Sequence, residues 1–189
     1  MTADAVPRIP LLGFVGYSGA GKTTLLQKVI TLLTRAGVRV GLVKHAHHEF
    51  DIDYPGKDSY VLRKAGAVQV MVASAAREAL ITEETRQPAP DPDLFRLVQR
   101  MDTDRLDLLL VEGFKHECFD KIEVCRAANK KPFLYPEDRH IIALVTDRSL
   151  SQPPPVPVFG LDQAERIVRF IIERCGLHAR TLDNATQTT

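Results

Sequence analysis

The sequence predicts an α/β domain: a mainly parallel, twisted sheet with helices on both faces and an antiparallel edge hairpin. Three observations carry this expectation. Short β-like runs alternate with segments of helical periodicity. The run 107–111 is almost continuously apolar, as a strand at a sheet centre requires. A glycine-rich turn also joins the first strand-like run to the first helix-like one.

In chain order, residues 9–15 form the first strand. Leu25, Leu26, Val29, Ile30, Leu33 and Ala36 then recur at helical spacing, and Gly37 ends that helix. Residues 38–43 form the second strand. The polar stretch 45–57 has no periodicity and holds His45, His47, His48, Asp51 and Asp53, the profile of a functional loop. Residues 58–65 read as a short helix that Gly66 stops. Runs 68–73 and 79–82 make a hairpin around Ser74-Ala75-Ala76-Arg77, and residues 88–92 form a proline-rich linker. Pro92 is placed to open a helix reaching about Met101. Strands are expected at 107–111, 122–125, 141–145 and 156–159. Asp162 is the expected N-cap of a last helix, whose apolar face runs from Ala164 to Cys175. The whole reads as one nucleotide-binding domain over 9–176, between a flexible start at 1–8 and a polar tail at 177–189.

Composition excludes several function classes. The 189 residues include 25 basic and 24 acidic side chains, a formal net charge of +1, so neither nucleic acid nor an anionic membrane finds a charged footprint. Cys118, Cys125 and Cys175 are widely spaced and form no C-x-x-C pair, which fits reduced thiols in the cytoplasm. No apolar run approaches the roughly 20 residues that span a bilayer, and residues 1–8 lack a signal pattern.

The chemistry concentrates in Gly16-Tyr17-Ser18-Gly19-Ala20-Gly21-Lys22-Thr23, which satisfies G-x-x-x-x-G-K-[ST], the P-loop of nucleotide-binding domains. Its glycines let the backbone turn tightly and aim N–H groups at phosphate oxygens. The helix starting near Lys22 adds the positive end of its dipole. Lys22 addresses the β- and γ-phosphates, and the Thr23 hydroxyl is placed to ligate Mg²⁺. Such a metal also needs a carboxylate. Glu112, at the carboxyl end of the apolar strand, is the acidic partner expected in the crevice of a parallel sheet. Asp58 is a second candidate, and a plain helix N-cap would look the same there. Lys44, at another strand end, reads as an anion contact. Within the loop, His45 and His47 share one face if the strand continues, so two imidazoles can serve zinc or nickel. A loop binding substrate or partner is the other reading.

The ordered set GYSGAGKTT, KHAHHEFDIDYPGKDS, LRKAGA, MDTDRLDLLLVEGFKH, KIEVCR and VTD resembles the MobB family of molybdopterin-guanine dinucleotide biosynthesis adapter proteins, over nearly the whole folded chain. The resemblance implies a GTP-binding α/β protein with weak GTPase activity, usually homodimeric, serving molybdenum cofactor biosynthesis. It also implies a partnership with the MobA-type guanylyltransferase that joins GMP to molybdopterin. By motif, Gly16 to Thr24 hold the phosphates. Relatives with VEG at this strand end, such as dethiobiotin synthetase, use the glutamate and a loop aspartate for magnesium, which supports Glu112 and Asp58. ParA/MinD-like relatives carry lysine directly after the first P-loop glycine, whereas Tyr17 stands here. The N-K-x-D tetrad that reads guanine in other GTPases is absent, and Asp147 of Val145-Thr146-Asp147 is the candidate for that role; the start of a turn is its other reading.

No catalytic base or arginine finger is evident, so hydrolysis involving Lys22 and Glu112 is expected to be slow. Two other readings stay open at this point. One is an ATP-dependent small-molecule kinase or ligase of the dethiobiotin-synthetase type. The other is a metallochaperone GTPase using His45, His47 and His48. In the adapter reading, Arg63-Lys64-Ala65-Gly66 and the histidine loop offer cationic groups to an anionic pterin phosphate.

Overall fold

The computed structural model describes residues 9–46, 50–84 and 91–178. The chain divides into two compact units: residues up to His45 together with those from Asp93 onward, and Ala46 to Pro92 between them. The sequence reads as one domain over 9–176 and does not mark these two units apart. The expectations for residues 1–8, for the tail beyond His178 and for most of the proline-rich linker lie outside the described residues.

In the first unit, six strands form a sheet in which every neighbouring pair is parallel, in the order β2-β5-β1-β6-β7-β8. They are β1 (Leu11–Val15), β2 (Val40–Lys44), β5 (Leu108–Glu112), β6 (Lys121–Cys125), β7 (Ile141–Thr146) and β8 (Val158–Phe159). β5 lies between β2 and β1 and is buried throughout, which explains its uninterrupted apolar run.

Helices cover both faces. Leu12 and Phe14 of β1 and Leu108 and Leu110 of β5 pack with Leu25, Leu26, Val29 and Leu33 of α1 (Lys22–Arg35) and Ile167, Val168 and Ile171 of α4 (Ala164–Cys175). On the opposite face Leu109 and Val111 pack with Leu94 and Val98 of α3 (Leu94–Val98) and with Phe114 and Phe119. Alternate strand residues thus feed two cores. Helix α1 ends as expected, with Gly37 at φ +84° and Val38 N–H donating to the Leu33 carbonyl at 3.0 Å.

Two helix starts differ from the sequence reading. Asp93, not Pro92, starts α3: its side chain accepts from Arg96 N–H at 3.1 Å, and the helix stops at Val98 instead of running to Met101. Gln163, not Asp162, is the N-cap of α4, and its side chain is taken by Gly160 N–H at 3.1 Å.

β6 carries two charges into the sheet, Lys121 and Glu123, each 1% exposed. Both are satisfied. Lys121 Nζ donates to the carbonyls of Lys115 at 2.9 Å and Glu117 at 2.7 Å and pairs with Asp138 at 2.6 Å. Glu123 accepts from the amides of Leu134 at 2.8 Å and Tyr135 at 2.9 Å. Burial pushes the Glu123 carboxyl above the usual carboxylate range despite those two amides. Each charge ties a loop to the sheet. Gly13 makes room: a Cβ there would lie 2.7 Å from Phe119 and 2.8 Å from the Lys121 stem.

The second unit holds α2 (Asp58–Lys64) and a two-stranded antiparallel sheet, β3 (Gln69–Ala73) with β4 (Glu78–Thr82). The hairpin is therefore a sheet of its own and not an edge of the larger one. Arg63 is the one buried residue among the described residues of this unit. Its guanidinium meets Asp51 at 2.6 Å, Asp53 at 2.5 Å and Glu83 at 2.5 Å, joining the loop, the helix and the end of the hairpin. Phe50, Ile52, Tyr54, Val61, Leu62, Met71 and Leu80 remain exposed. A fork of ion pairs organises the unit where a core would otherwise do so.

Because the Gly13 site is filled by Phe119 and Lys121, Gly13→Ala should destabilise the first unit by roughly 1–3 kcal/mol. Thermal unfolding followed by circular dichroism should show a midpoint lowered by about 2–4 °C for each kcal/mol.

Candidate functional site

The turn Gly16–Lys22 leaves the carboxyl end of β1 and enters α1. Gly16, Gly19 and Gly21 take φ of +144°, +76° and +87°, and Gly21 is the N-cap. No side chain caps the first turn, and no acidic residue sits there, so its amide donors and dipole face outward unopposed. Tyr17, Ser18 and Ala20 form the body of the loop, with Ala20 N–H closing onto the Tyr17 carbonyl at 3.2 Å. Lys22 Nζ reaches back to the carbonyls of Gly16 at 2.9 Å and Tyr17 at 3.1 Å, lying across the loop. Thr24 follows Thr23 on the exposed side of α1.

Register brings the acid to this loop. Glu112 ends β5, level with Phe14 of β1 on one side and Lys44 of β2 on the other. It is only 8% exposed. Oε1 accepts from the Thr23 hydroxyl at 3.0 Å, and Oε2 pairs with Lys44 Nζ at 2.8 Å. Burial pushes the Lys22 ammonium below the ordinary lysine range; Glu112 opposes this, while Lys44 and Lys115 add to it. Lys22, Thr23, Lys44 and Glu112 are therefore gathered as the sequence predicted. Two hard oxygen donors, Thr23 Oγ1 and Glu112 Oε1, converge, the donor class that Mg²⁺ takes with one or two carboxylates.

Asp147 follows β7, exposed, and its Oδ1 accepts from Ala127 N–H at 2.5 Å. Asn129 Nδ2 donates to the Ser18 carbonyl at 3.1 Å. Asp147 thus holds the loop after β6, and that loop holds the P-loop. The sequence singles out Asp147 as a candidate guanine contact or a turn start and does not show this scaffolding bond, which depends on the order β6-β7.

Asp58 belongs to the second unit, where it is exposed and occupies the first position of α2; Lys57 is the N-cap. Arg63 departs from the sequence reading as an anion contact, because three carboxylates saturate its buried guanidinium. His47 and His48 lie outside the described residues. His45 stacks on Phe114 with ring centroids 4.8 Å apart, and its N–H donates to the Glu112 carbonyl at 2.9 Å. Among the described residues no three His, Cys, Asp or Glu side chains gather to hold a metal.

A parallel sheet with a glycine turn at its carboxyl edge, a lysine across that turn and a threonine–glutamate pair beside it define a protein of the P-loop NTPase fold. Comparison with known proteins narrows the class. Residues 11–147 match the family model of MobB, molybdopterin guanine dinucleotide synthesis protein B. The molybdopterin-guanine dinucleotide biosynthesis adapter protein of Escherichia coli is 49% identical over 166 residues, covering 87% of this chain and 93% of its own. The protein of the same name from Haemophilus influenzae is 44% identical over 144 residues, covering 76% and 78%. The crystal structure of a MobB homolog from Bacillus stearothermophilus is 26% identical and superposes with a TM-score of 0.65, covering 88% of this chain and 97% of that one. The chain belongs to the MobB family.

The scaffolding bond makes a prediction. Asp147→Ala should speed amide exchange at Ala127 by about tenfold or more, the scale of one lost hydrogen bond to a charged acceptor. Asp147→Asn, which keeps the acceptor, should leave that exchange close to the parental rate. Hydrogen exchange read by mass spectrometry checks both.

Proposed function

We propose that this chain is a GTP-binding adapter in molybdopterin-guanine dinucleotide biosynthesis, which hydrolyses GTP slowly and works with a MobA-type guanylyltransferase. Family membership supports the role in molybdenum cofactor biosynthesis, and the dethiobiotin-synthetase-like alternative gives way to it. The observation that carries the nucleotide part is the Thr23–Glu112–Lys44 arrangement beside the P-loop.

In this reading, the amides of Gly16 to Thr24 and the Lys22 and Lys44 ammonium groups bind the phosphates. Thr23 and Glu112 would hold Mg²⁺, which would neutralise phosphate charge when bound. Asp147 keeps Ala127 in place with one oxygen and offers the other to the donors of guanine. Among the described residues of the site, Lys22, Lys44 and Glu112 are engaged in positioning contacts and none is set up as a base for water, which supports slow turnover. The exposed apolar side chains of the second unit support a homodimer, which would cover them. Three free cysteines support a cytoplasmic location, and among the described residues no helix is long and apolar enough to cross a membrane.

Calorimetry with GTP and Mg²⁺ tests the nucleotide reading. Lys22→Ala should abolish binding in a folded chain. Glu112→Gln and Thr23→Ala should each weaken it by about tenfold or more, the scale of a charge-assisted contact. Parental affinity in Lys22→Ala would remove the site assignment. The adapter half predicts that the chain co-purifies with a MobA-type guanylyltransferase and forms no dinucleotide cofactor alone. Failure to bind that enzyme with or without GTP, or cofactor synthesis by this chain unaided, would overturn it.

A further inference from the structure

Beyond Glu112 the chain does something a plain strand-to-loop exit does not require. Gly113 takes φ +95° and Phe114 φ +51°, two consecutive residues in the left-handed region. For a bulky side chain such as Phe114 that conformation is strained and persists only where the surroundings impose it. They do so here. A Cβ at Gly113 would lie 2.8 Å from the His45 Cβ, so only glycine fits against that side chain. Phe114 is buried and stacks on His45. The buried Lys121 ammonium then fastens the next turn from below, through the carbonyls of Lys115 and Glu117.

The strained and anchored reversal exposes Lys115 and His116, and of the two it is Lys115 that reaches the P-loop. The Lys115 Nζ lies over the ring of Tyr17, 5.6 Å from the centroid. Tyr17 is the residue directly after the first P-loop glycine. Lys115 is also close enough to Lys22 to depress the latter's proton affinity. A cation over an aromatic face at an exposed position is held only weakly. A charge-assisted contact to a phosphate oxygen is roughly twice as strong as a neutral hydrogen bond. Tyr17 therefore holds the ammonium at the rim of the loop weakly enough to give it up to an anion.

We propose that Lys115 is a further binding residue of this site: a third lysine, delivered by the reversed 113–117 turn, that engages the terminal phosphate of a nucleoside triphosphate. The inference rests on the P-loop reading above and extends it, because Lys115 is part of neither the P-loop nor the strand-end acid itself, standing three residues past Glu112. It differs from Lys22 in origin: Lys22 belongs to the loop that surrounds the phosphates, whereas Lys115 comes from the segment that follows Glu112. The turn thus makes the segment after the acid responsive to whether the last phosphate is present.

The test compares GTP and GDP, each with Mg²⁺, by calorimetry on the full chain and on Lys115→Met and Lys115→Arg. Methionine keeps an apolar stem over Tyr17 and removes the charge at an exposed position, and circular dichroism checks the fold. Lys115→Met should lose about tenfold or more in GTP affinity and change GDP affinity less than about threefold, with Lys115→Arg recovering most of the GTP loss. Equal losses for GTP and GDP would assign Lys115 to general loop structure and overturn the inference, as would GTP binding unchanged from the parent. A parent chain that binds neither nucleotide overturns the P-loop reading itself and this one with it; parental binding with an indifferent Lys115→Met variant overturns this one alone.

Discussion

The parallel register of β2, β5 and β1 is the constraint on which the site depends. Lys44, Glu112 and Phe14 stand level across three adjacent strands, so the carboxylate emerges two residues from the first P-loop glycine and beside a lysine. Side chains alternate along a strand, so a slip of one residue would turn Glu112 to the other face and bring Val111 to its place. The two cores prevent that slip. Leu108 and Leu110 are committed to α1 and α4, and Leu109 and Val111 to α3. Packing far from the phosphate loop thereby sets the 3.0 Å bond between Thr23 and Glu112.

A second tier of order comes from charges that the sheet buries on β6. Removing a charge from water costs several kcal/mol unless it is paired and hydrogen-bonded. Lys121 and Glu123 meet that condition by capturing backbone groups of the segments that cross their face, at Lys115 and Glu117 and at Leu134 and Tyr135. Loops next to a ligand crevice are usually the mobile part of an α/β domain. Here the interior of the sheet grips them, while Asp147 and Asn129 bind the loop after β6 to its neighbours. The second unit uses a related device, a single buried cation, Arg63, held by three carboxylates.

What was legible in the sequence follows from what is local. The P-loop was legible because its spacing and glycines are dictated by one turn of backbone. Glu112 was legible because an apolar run that ends in an acid and a glycine marks a central strand. Lys121 and Glu123 were not. Their alternation with Ile122 and Val124 reads as a strand with one wet face, and only the tertiary path of residues 115–117 and 134–138 dries it. Arg63 misled for a related reason: its partners lie at positions 51, 53 and 83, so a cation in a basic stretch looked available when it is saturated. Asp162 and Pro92 were misplaced as helix starts: Asp93 caps α3 ahead of Leu94, and Gln163 stands at the N-cap of α4 without a side-chain capping bond. The hairpin was found but not its separation, since strand periodicity does not say which sheet a strand joins.

The net charge of +1 conceals how unevenly charge is distributed. Lys22, Lys44 and Lys115 come from three separate elements to one sheet edge, against the single carboxylate of Glu112. Such a cluster is costly in isolation, and the depressed proton affinity of Lys22 is its signature: burial and two like charges outweigh the attraction of Glu112. The structure lowers this cost by giving every ammonium a provisional acceptor. Lys22 lies on two loop carbonyls, Lys44 on Glu112 and Lys115 on the Tyr17 ring. None of these contacts needs the lysine to be held in a fully closed cage, so each can be exchanged for a phosphate oxygen without exposing an apolar core. An array of three cations with exchangeable partners around the P-loop amides offers complementary charge to a polyanion. The carboxylate at its centre is spoken for by Thr23 and Lys44, which leaves it suited to orienting charge and poorly placed to take a proton from water.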